Sequence, residues 1–221
     1  MSVQSCIGDY KELLNQLHEA ESNYCLIGGH AVEAWFKYFF PKERPEGYPK
    51  TILSKDMDVR GNKADAVLLK SAFNLKLMEY KLKQSWRGRA WGLDWKASGE
   101  PTKFEVLETL PGVDKSPEEI TGHQIQIEYE GIKLSVIDPV SLMINKMDVY
   151  SREKDGKNRN DLFHLNAIAA IMNPYFEHVE NSKLKDQIDV RAEKKRLRFH
   201  VKKYDAVLPE EIKKLTSLIS I

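Results

Sequence analysis

The sequence predicts an α+β fold in which a mixed sheet is flanked by helices and followed by a C-terminal helical part. In the first two-thirds of the chain, short strand-like segments alternate with segments of helical periodicity. From Pro139 onward the apolar pattern is helical throughout. A boundary near residue 138 therefore divides an α/β region, 1–138, from a helical region, 139–221, that we expect to pack on it.

The N-terminal segments alternate between the two kinds of structure. Residues 7–21 carry leucines at helical spacing, and the short apolar run 24–27 predicts a buried strand that stops at two glycines. Residues 30–40 again show helical spacing. The segment 41–50 contains three prolines and one glycine, which predicts a loop.

The middle of the chain is mostly strand and the end is helix. A short strand is predicted over 57–59, and a helix over 63–73. The later predicted strands are 77–83, 90–96, 103–109, 124–129 and 133–136. The predicted C-terminal helices lie near 139–151, 158–171, 184–204 and 208–219, with Pro174 and Pro209 as starts or breaks.

Composition excludes several classes of protein. The chain has 221 residues, of which 42% are hydrophobic and 30% charged, as is ordinary for a soluble globular protein. With 34 basic and 33 acidic residues it is not a polycation, and its two cysteines cannot supply a disulfide framework or a cysteine-only zinc site. No apolar run approaches the roughly 20 residues that span a bilayer, and no signal peptide is recognisable, so we predict a cytoplasmic protein without membrane contact.

The first candidate site is the glycine pair Gly28-Gly29, followed by His30. A strand that runs into glycines and then a helix leaves main-chain N–H groups free at the helix N-terminus, and these suit a phosphate group. Glycine also lets a ligand approach the main chain closely. By itself this pattern is more often only a tight turn.

The second candidate is Asp56 and Asp58, preceded by Lys55. Residues i and i+2 of a strand point to the same side, about 7 Å apart. Two carboxylates this close need a cation or a raised pKa, and hard oxygen ligands with open positions suit Mg²⁺. The alternative is a charged strand end at the surface.

The third candidate is a carboxylate in the later segment 103–109. A third acid on a neighbouring strand would complete a two-metal site for in-line phosphoryl transfer. Glu105 and Glu108 cannot both face one way in a strand because their separation is odd, and either could be the ligand. A glutamate that faces solvent is the alternative.

The fourth candidate lies in the helical region, where Lys146, Arg152 and Asp161 occur on two predicted helices. A lysine on a helix that follows the sheet could neutralise triphosphate charge. Asp161 begins the next helix and could orient a basic group. A solvated, charged connection between helices would show the same composition.

Taken in this order, the four groups resemble the nucleotidyltransferases of the DNA polymerase β superfamily, and among them the bacterial AbiEii-like proteins of abortive-infection and toxin–antitoxin systems. The resemblance covers residues 24–165. It implies a polymerase β palm-like sheet and Mg²⁺-dependent transfer of a nucleoside monophosphate from an NTP to a hydroxyl of RNA or tRNA, a protein or a small molecule. It also implies a possible cognate antitoxin. The alternative is a catalytically inactive protein of the same fold that binds a protein or nucleic acid.

The resemblance also implies residue roles. The ligands of two Mg²⁺ ions would be Asp56, Asp58 and Glu105, and Glu105 would polarise the acceptor hydroxyl. Lys146 and Asp161 would join these three acids in catalysis. The residues that would bind the NTP are Gly28, Gly29, His30, Lys55, Lys146 and Arg152. Glu105 departs from the family pattern because aspartate is common there, so its carboxylate would sit one methylene further out.

A basic segment near the C-terminus suggests a polyanion partner. Residues 183–203 hold nine basic and three acidic side chains, in a chain of net charge +1. Phosphate contacts from such a helix could hold RNA or tRNA in a salt-sensitive way. A solvated helix face is the alternative.

Overall fold

A computed structural model provides the structure of the chain and describes residues 4–81, 88–97, 100–115, 121–152 and 159–217. Within these ranges, no helix has the length and apolar character needed to cross a bilayer.

Seven strands and seven α-helices make up the described fold. A 3₁₀ turn, Ile7–Tyr10, leads into the first helix. The helices are α1 (Lys11–Glu19), α2 (Gly28–Phe39), α3 (Lys63–Phe73), α4 (Pro139–Arg152), α5 (Arg159–Glu180), α6 (Val190–Lys203) and α7 (Glu210–Ser217). The strands are β1 (Cys25–Leu26), β2 (Met57–Arg60), β3 (Leu77–Lys81), β4 (Arg89–Ala97), β5 (Glu100–Leu107), β6 (Gln124–Tyr129) and β7 (Ile132–Ile137).

The strands form one mixed sheet in the order β3-β4-β5-β2-β1-β7-β6. The pairs β2–β5 and β1–β7 are parallel, and the other neighbours are antiparallel. Helices α1, α2 and α3 contact the sheet. The predicted α+β class, a mixed sheet flanked by helices with a helical C-terminal part, is therefore confirmed.

Trp35 of α2 connects the sheet to the C-terminal helices. Its indole N–H donates to the carbonyl oxygen of Ile137, at the end of β7, over 2.7 Å. Its ring meets Tyr175 of α5 edge to face, with 6.0 Å between centroids. The helical region thus packs on the α/β region around a fully buried aromatic side chain, while a domain division at residue 138 stays a prediction.

Helix α5 is longer than the sequence predicts. It continues through Pro174 to Glu180, whereas the pattern places its end at 171. A proline inside a helix costs stability because it removes one main-chain hydrogen bond and crowds the preceding turn. Here the apolar stripe continues beyond it, since Tyr175 and Val179 are fully buried, and packing of this stripe favours the continued helix.

The basic segment is not one continuous helix, contrary to the prediction over 184–204. A 3₁₀ turn occupies Lys183–Asp186, and α6 begins only at Val190. Asp189 caps α6, because its carboxylate accepts hydrogen bonds from the N–H groups of Arg191 and Ala192. An aspartate at this position satisfies main-chain donors that a helix start otherwise leaves unpaired.

His30 ties three segments of the chain together. It lies in the first turn of α2 and is fully buried. Its Nδ1 lies 3.2 Å from the carbonyl oxygen of Asp56, and its Nε2 lies 3.2 Å from that of Ser5. Burial lowers the pKa of His30 to about 4, although both carbonyl groups act in the opposite direction. The uncharged imidazole has one N–H and donates it to one of these two carbonyl oxygens, so the ring lies between Ser5 and the main chain just before β2.

We expect acid to destabilise the fold through His30. Because its pKa is lower in the folded chain, the unfolded chain takes up the proton first, and stability is lost as pH falls from 6.5 to about 4. The loss amounts to about 3 kcal/mol for this group. Urea unfolding at pH 7, 5.5 and 4.5 should show a smaller pH dependence for His30→Gln, and an equal dependence in the variant and the parent chain would contradict the assignment.

Candidate active site

A cavity of about 140 Å³ lies where the start of β2 meets helices α4 and α5. Charged and polar side chains line it: Ser54, Lys55, Asp56, Asp58, Lys146, Asn160, Asp161 and His164. Five of these eight were predicted as site residues from the sequence. The cavity combines residues from both sides of the predicted boundary at 138, so the helical region forms part of its wall.

Asp58 of β2 and Glu105 of β5 are register partners in the parallel pair of strands. Their side chains therefore leave the sheet on the same face. Burial raises the pKa of Asp58 to about 8, and the negative charges of Glu105 and Asp56 act in the same direction. The charge of Lys146 opposes this shift. Without a cation, ionisation of Asp58 is therefore costly near neutral pH.

Asp56 reaches the cavity from outside the strand. It lies one residue before β2, and its side chain lines the same cavity as that of Asp58. Its carboxylate accepts a hydrogen bond from the N–H of Lys103. Burial raises the pKa of Asp56, against the charges of Lys103 and Lys55.

Strand pairing distinguishes Glu105 from Glu108. The Glu105 carboxylate accepts a hydrogen bond of 2.6 Å from the hydroxyl of Tyr80, a residue of β3. Glu108 lies beyond the end of β5 and instead accepts from the main-chain N–H of Arg89 over 2.8 Å. The odd separation of the two acids thus directs Glu105, and not Glu108, to the face that carries Asp58.

The glycine pair lies directly behind the cavity wall. The helix begins at Gly28 and not at His30 as predicted, and Gly28 has a positive φ of 67°, a conformation that favours glycine. A β-carbon at Gly28 would collide with the carboxylate of Asp58. One at Gly29 would come within 2.7 Å of Ser54 Oγ and 2.9 Å of His164 Cε1. Both glycines therefore give room to side chains that line the cavity.

His30 and Arg152 were predicted to bind the NTP, but neither residue lines the cavity. His30 is fully buried between main-chain carbonyl groups, so its side chain is not available to a nucleotide in this structure. The guanidinium of Arg152 forms an ion pair of 2.6 Å with Asp148. Six residues separate Arg152 from Lys146, which turns its side chain to another face of α4.

Lys146 and Asp161 form a buried ion pair across α4 and α5. The ammonium Nζ lies 2.8 Å from the Asp161 carboxylate, and the side chains are 11% and 7% exposed. Removing one partner from such a pair leaves an uncompensated charge in a poorly solvated place. The pair therefore fixes one positive charge at the edge of the cavity.

The residues that sequence reasoning missed are Ser54, Asn160 and His164. His164 is 5% exposed, and its Nδ1 has no hydrogen-bond partner within the described part of the chain. Burial lowers its pKa to about 3, and the charge of Lys146 adds to this. Helical spacing could have indicated His164, because it follows Asp161 by three residues and shares its helix face.

The oxygen donors of the site suit Mg²⁺ in their chemistry. Carboxylates with a few open positions are the ligands it prefers in proteins. A bound cation would also offset the unfavourable ionisation of the Asp58 carboxyl group. In the described ranges, however, no three His, Cys, Asp or Glu side chains are grouped closely enough to hold a metal ion. Ion binding would therefore have to bring Asp56 and Asp58 closer to Glu105.

Comparison with known proteins finds similarity at the level of structure. No family model matches the chain, and no curated protein sequence matches it significantly. An antigenic nucleotidyltransferase-like protein from Paracoccidioides brasiliensis aligns with a TM-score of 0.50 and 12% identity, over 97% of this chain and 95% of the other.

Two further solved structures align less well. The lincosamide antibiotic adenylyltransferase LnuA, bound to lincomycin, has a TM-score of 0.49 and 11% identity, over 77% of this chain and 100% of the other. The Megavirus polyadenylate synthase has a TM-score of 0.47 and 12% identity, over 82% of this chain and 38% of the other.

Identities this low bear on the fold alone. The chain, with its mixed seven-stranded sheet and flanking helices, aligns with the nucleotidyltransferase-like protein from Paracoccidioides brasiliensis over nearly the full length of both chains. The chain therefore has the fold of the nucleotidyltransferases.

Proposed function

We propose that the chain transfers a nucleoside monophosphate from an NTP to a hydroxyl acceptor. The observation that carries the proposal is the register of Asp58 with Glu105 on one sheet face. Asp56, Lys55, Lys146 and Asp161 surround the same small cavity as Asp58. Two lysines and several acids together suit a substrate that combines phosphate groups with divalent cations.

The acids have the role of holding the metal. Asp56, Asp58 and Glu105 would bind two Mg²⁺ ions, which when bound supply positive charge to the attacking and leaving oxygens. Because Asp58 is poorly solvated and lies close to other acids, a nearby cation favours its ionised form. This coupling makes Asp58 the ligand whose loss we expect to matter most.

The remaining residues handle the proton and the leaving group. The acceptor hydroxyl loses its proton as its oxygen bonds to the α-phosphorus, and the bond from that phosphorus to the pyrophosphate oxygen breaks. Glu105 would polarise the hydroxyl and accept the proton. Lys146, held by Asp161, and Lys55 offset the negative charge of the departing pyrophosphate.

The rival proposal is a catalytically inactive protein of this fold that binds a protein or nucleic acid. Its support is that the acids are not grouped for metal binding within the described ranges. A titration with labelled ATP and Mg²⁺ separates the two. Metal-dependent binding that Asp56→Ala abolishes favours the enzyme, whereas metal-independent partner binding that survives this substitution favours the rival.

For the acceptor we propose RNA, because α6 presents a basic face to solvent. Exposed basic side chains recur there at spacings of four, three and four residues, which places them on one face: Arg191, Lys195, Arg198 and Lys202. Phe199, beside this row, is 66% exposed and is available to stack on a base. The AbiEii-like identity and a cognate antitoxin stay predictions from the sequence.

Asp58→Asn should abolish metal-dependent transfer. Loss of several kcal/mol of transition-state stabilisation corresponds to a rate lower by about a thousandfold. The measurement is transfer of label from α-labelled NTPs, with Mg²⁺, to total RNA. Asp94→Asn, which removes an exposed carboxylate from strand β4, should retain activity. Unchanged metal-dependent transfer in Asp58→Asn would refute the proposed function.

Lys146→Met should lower both stability and activity, and the two effects can be separated. The variant removes the ammonium group that pairs with the buried Asp161 carboxylate, at a cost of about 3 kcal/mol in urea unfolding. Adding Asp161→Asn should restore most of the stability, because the buried negative charge of residue 161 is then removed. Transfer activity should stay low in the double variant, and its recovery would show that Lys146 serves only to neutralise Asp161.

Replacing Arg191, Lys195 and Lys202 by Gln should weaken RNA binding without changing the melting temperature, because all three are exposed. Loss of three phosphate contacts would lower the slope of log K against log salt by about 2 for a single strand. The control replaces three exposed lysines elsewhere by Gln: Lys11, Lys76 and Lys133. Equal loss of binding in the control would indicate a general charge effect and no docking face on α6.

A further inference from the structure

Tyr80 contacts a predicted metal ligand from two strands away. It lies on β3, and Glu105 lies on β5, with β4 between them. The Tyr80 hydroxyl nevertheless donates a hydrogen bond of 2.6 Å to Glu105 Oε1. This contact could not be predicted from the sequence, because it depends on the pairing of three strands.

Gly92 of β4 lets the Tyr80 ring cross the sheet. It is the register partner of Glu105 on one side and of Met78 on the other. A β-carbon at Gly92 would lie 3.5 Å from Cε1 of the Tyr80 ring. The ring therefore lies over a position without a side chain, where alanine would fit and a branched side chain would push the ring away.

We infer that Tyr80 is a positioning residue that fixes the carboxylate of Glu105 for metal binding. The inference rests on the proposed function of Glu105 as the third metal ligand. One carboxylate oxygen is held by the tyrosine, and the other is left for a cation or for the acceptor hydroxyl. Groups that orient a metal ligand from behind commonly matter to metal affinity almost as much as the ligand itself.

The hydrogen bond from Tyr80 compensates for the greater flexibility of glutamate compared with aspartate. Glutamate has one more rotatable bond than aspartate, so its carboxylate explores more positions and loses more entropy when a metal fixes it. A hydrogen bond to a charged carboxylate is among the stronger ones in proteins. By accepting from Tyr80 in the metal-free chain, Glu105 gives up part of that freedom before any cation binds.

The test is a double-variant cycle on metal binding. Mn²⁺ binding is measured by electron paramagnetic resonance with a non-hydrolysable ATP analogue, for the parent chain, Tyr80→Phe, Glu105→Gln and the double variant. Tyr80→Phe should weaken Mn²⁺ binding about tenfold. The double variant should bind no more weakly than Glu105→Gln alone, because the tyrosine acts only through the carboxylate.

Four further substitutions exclude a merely structural role. In a Glu105→Asp background the shorter side chain no longer reaches the hydroxyl, so Tyr80→Phe should cause no additional loss. Gly92→Val should reproduce the loss by displacing the ring, and Gly92→Ala should not. Tyr38→Phe is the matched control, because Tyr38 is as exposed as Tyr80, at 37% against 38%, and its hydroxyl pairs with His178.

The possible outcomes separate this inference from the proposed function. Parent-like Mn²⁺ binding in Tyr80→Phe, or multiplicative losses in the double variant, would overturn the positioning role while leaving nucleotide transfer to its own assay. If the Mn²⁺-binding cycle gives the expected result but the chain transfers no label, the positioning role stands and the proposed nucleotide transfer is refuted. A parent chain that binds no Mn²⁺ with nucleotide would refute both.

Discussion

The parallel pairing of β2 with β5 is the constraint on which the site depends. It places Asp58 beside Glu105 in register, so two acids that are distant in sequence share one face of the sheet. Without a bound cation, the proximity of these two carboxyl groups is unfavourable, as the raised pKa of Asp58 indicates. The sheet holds these acids together because its buried apolar residues, such as Val59 and Val106, fix the same register from the other face.

Three neighbouring residues accommodate the acids of the site. Gly28 has no side chain where one would strike Asp58. His30 remains uncharged and holds the main chain of Asp56, and Lys146 provides the opposing charge. Gly28, His30 and Lys146 thus each act on the segment that carries Asp56 and Asp58.

Local patterns in the sequence predicted most of the helices and strands and five of the eight residues that line the candidate cavity. Alternation predicted β6 over the residues that form it, and helical spacing predicted α3 with the bounds observed. The acids and Lys146 could be found because their chemistry is visible in residue type and order. The fold class follows from the same signals, since alternating strands and helices leave few ways to build a core.

Contacts that depend on strand order or helix phase were beyond the sequence. The choice between Glu105 and Glu108 needed the pairing of β5 with β2, and Tyr80 needed the position of β3. Arg152 lies on another face of α4 than Lys146 and pairs with Asp148, which residue type and order do not show. His30 was misjudged because the burial of a polar residue after two glycines depends on Ser5, which is remote in sequence.

The ion pair between α4 and α5 has a consequence for how this architecture can change. Lys146 and Asp161 belong to the same helical region as the basic face of α6. An exchange of that region between related chains would carry both features at once. The proposed phosphate contact and the proposed RNA-binding face would then be inherited as a unit, separately from the acids of the sheet.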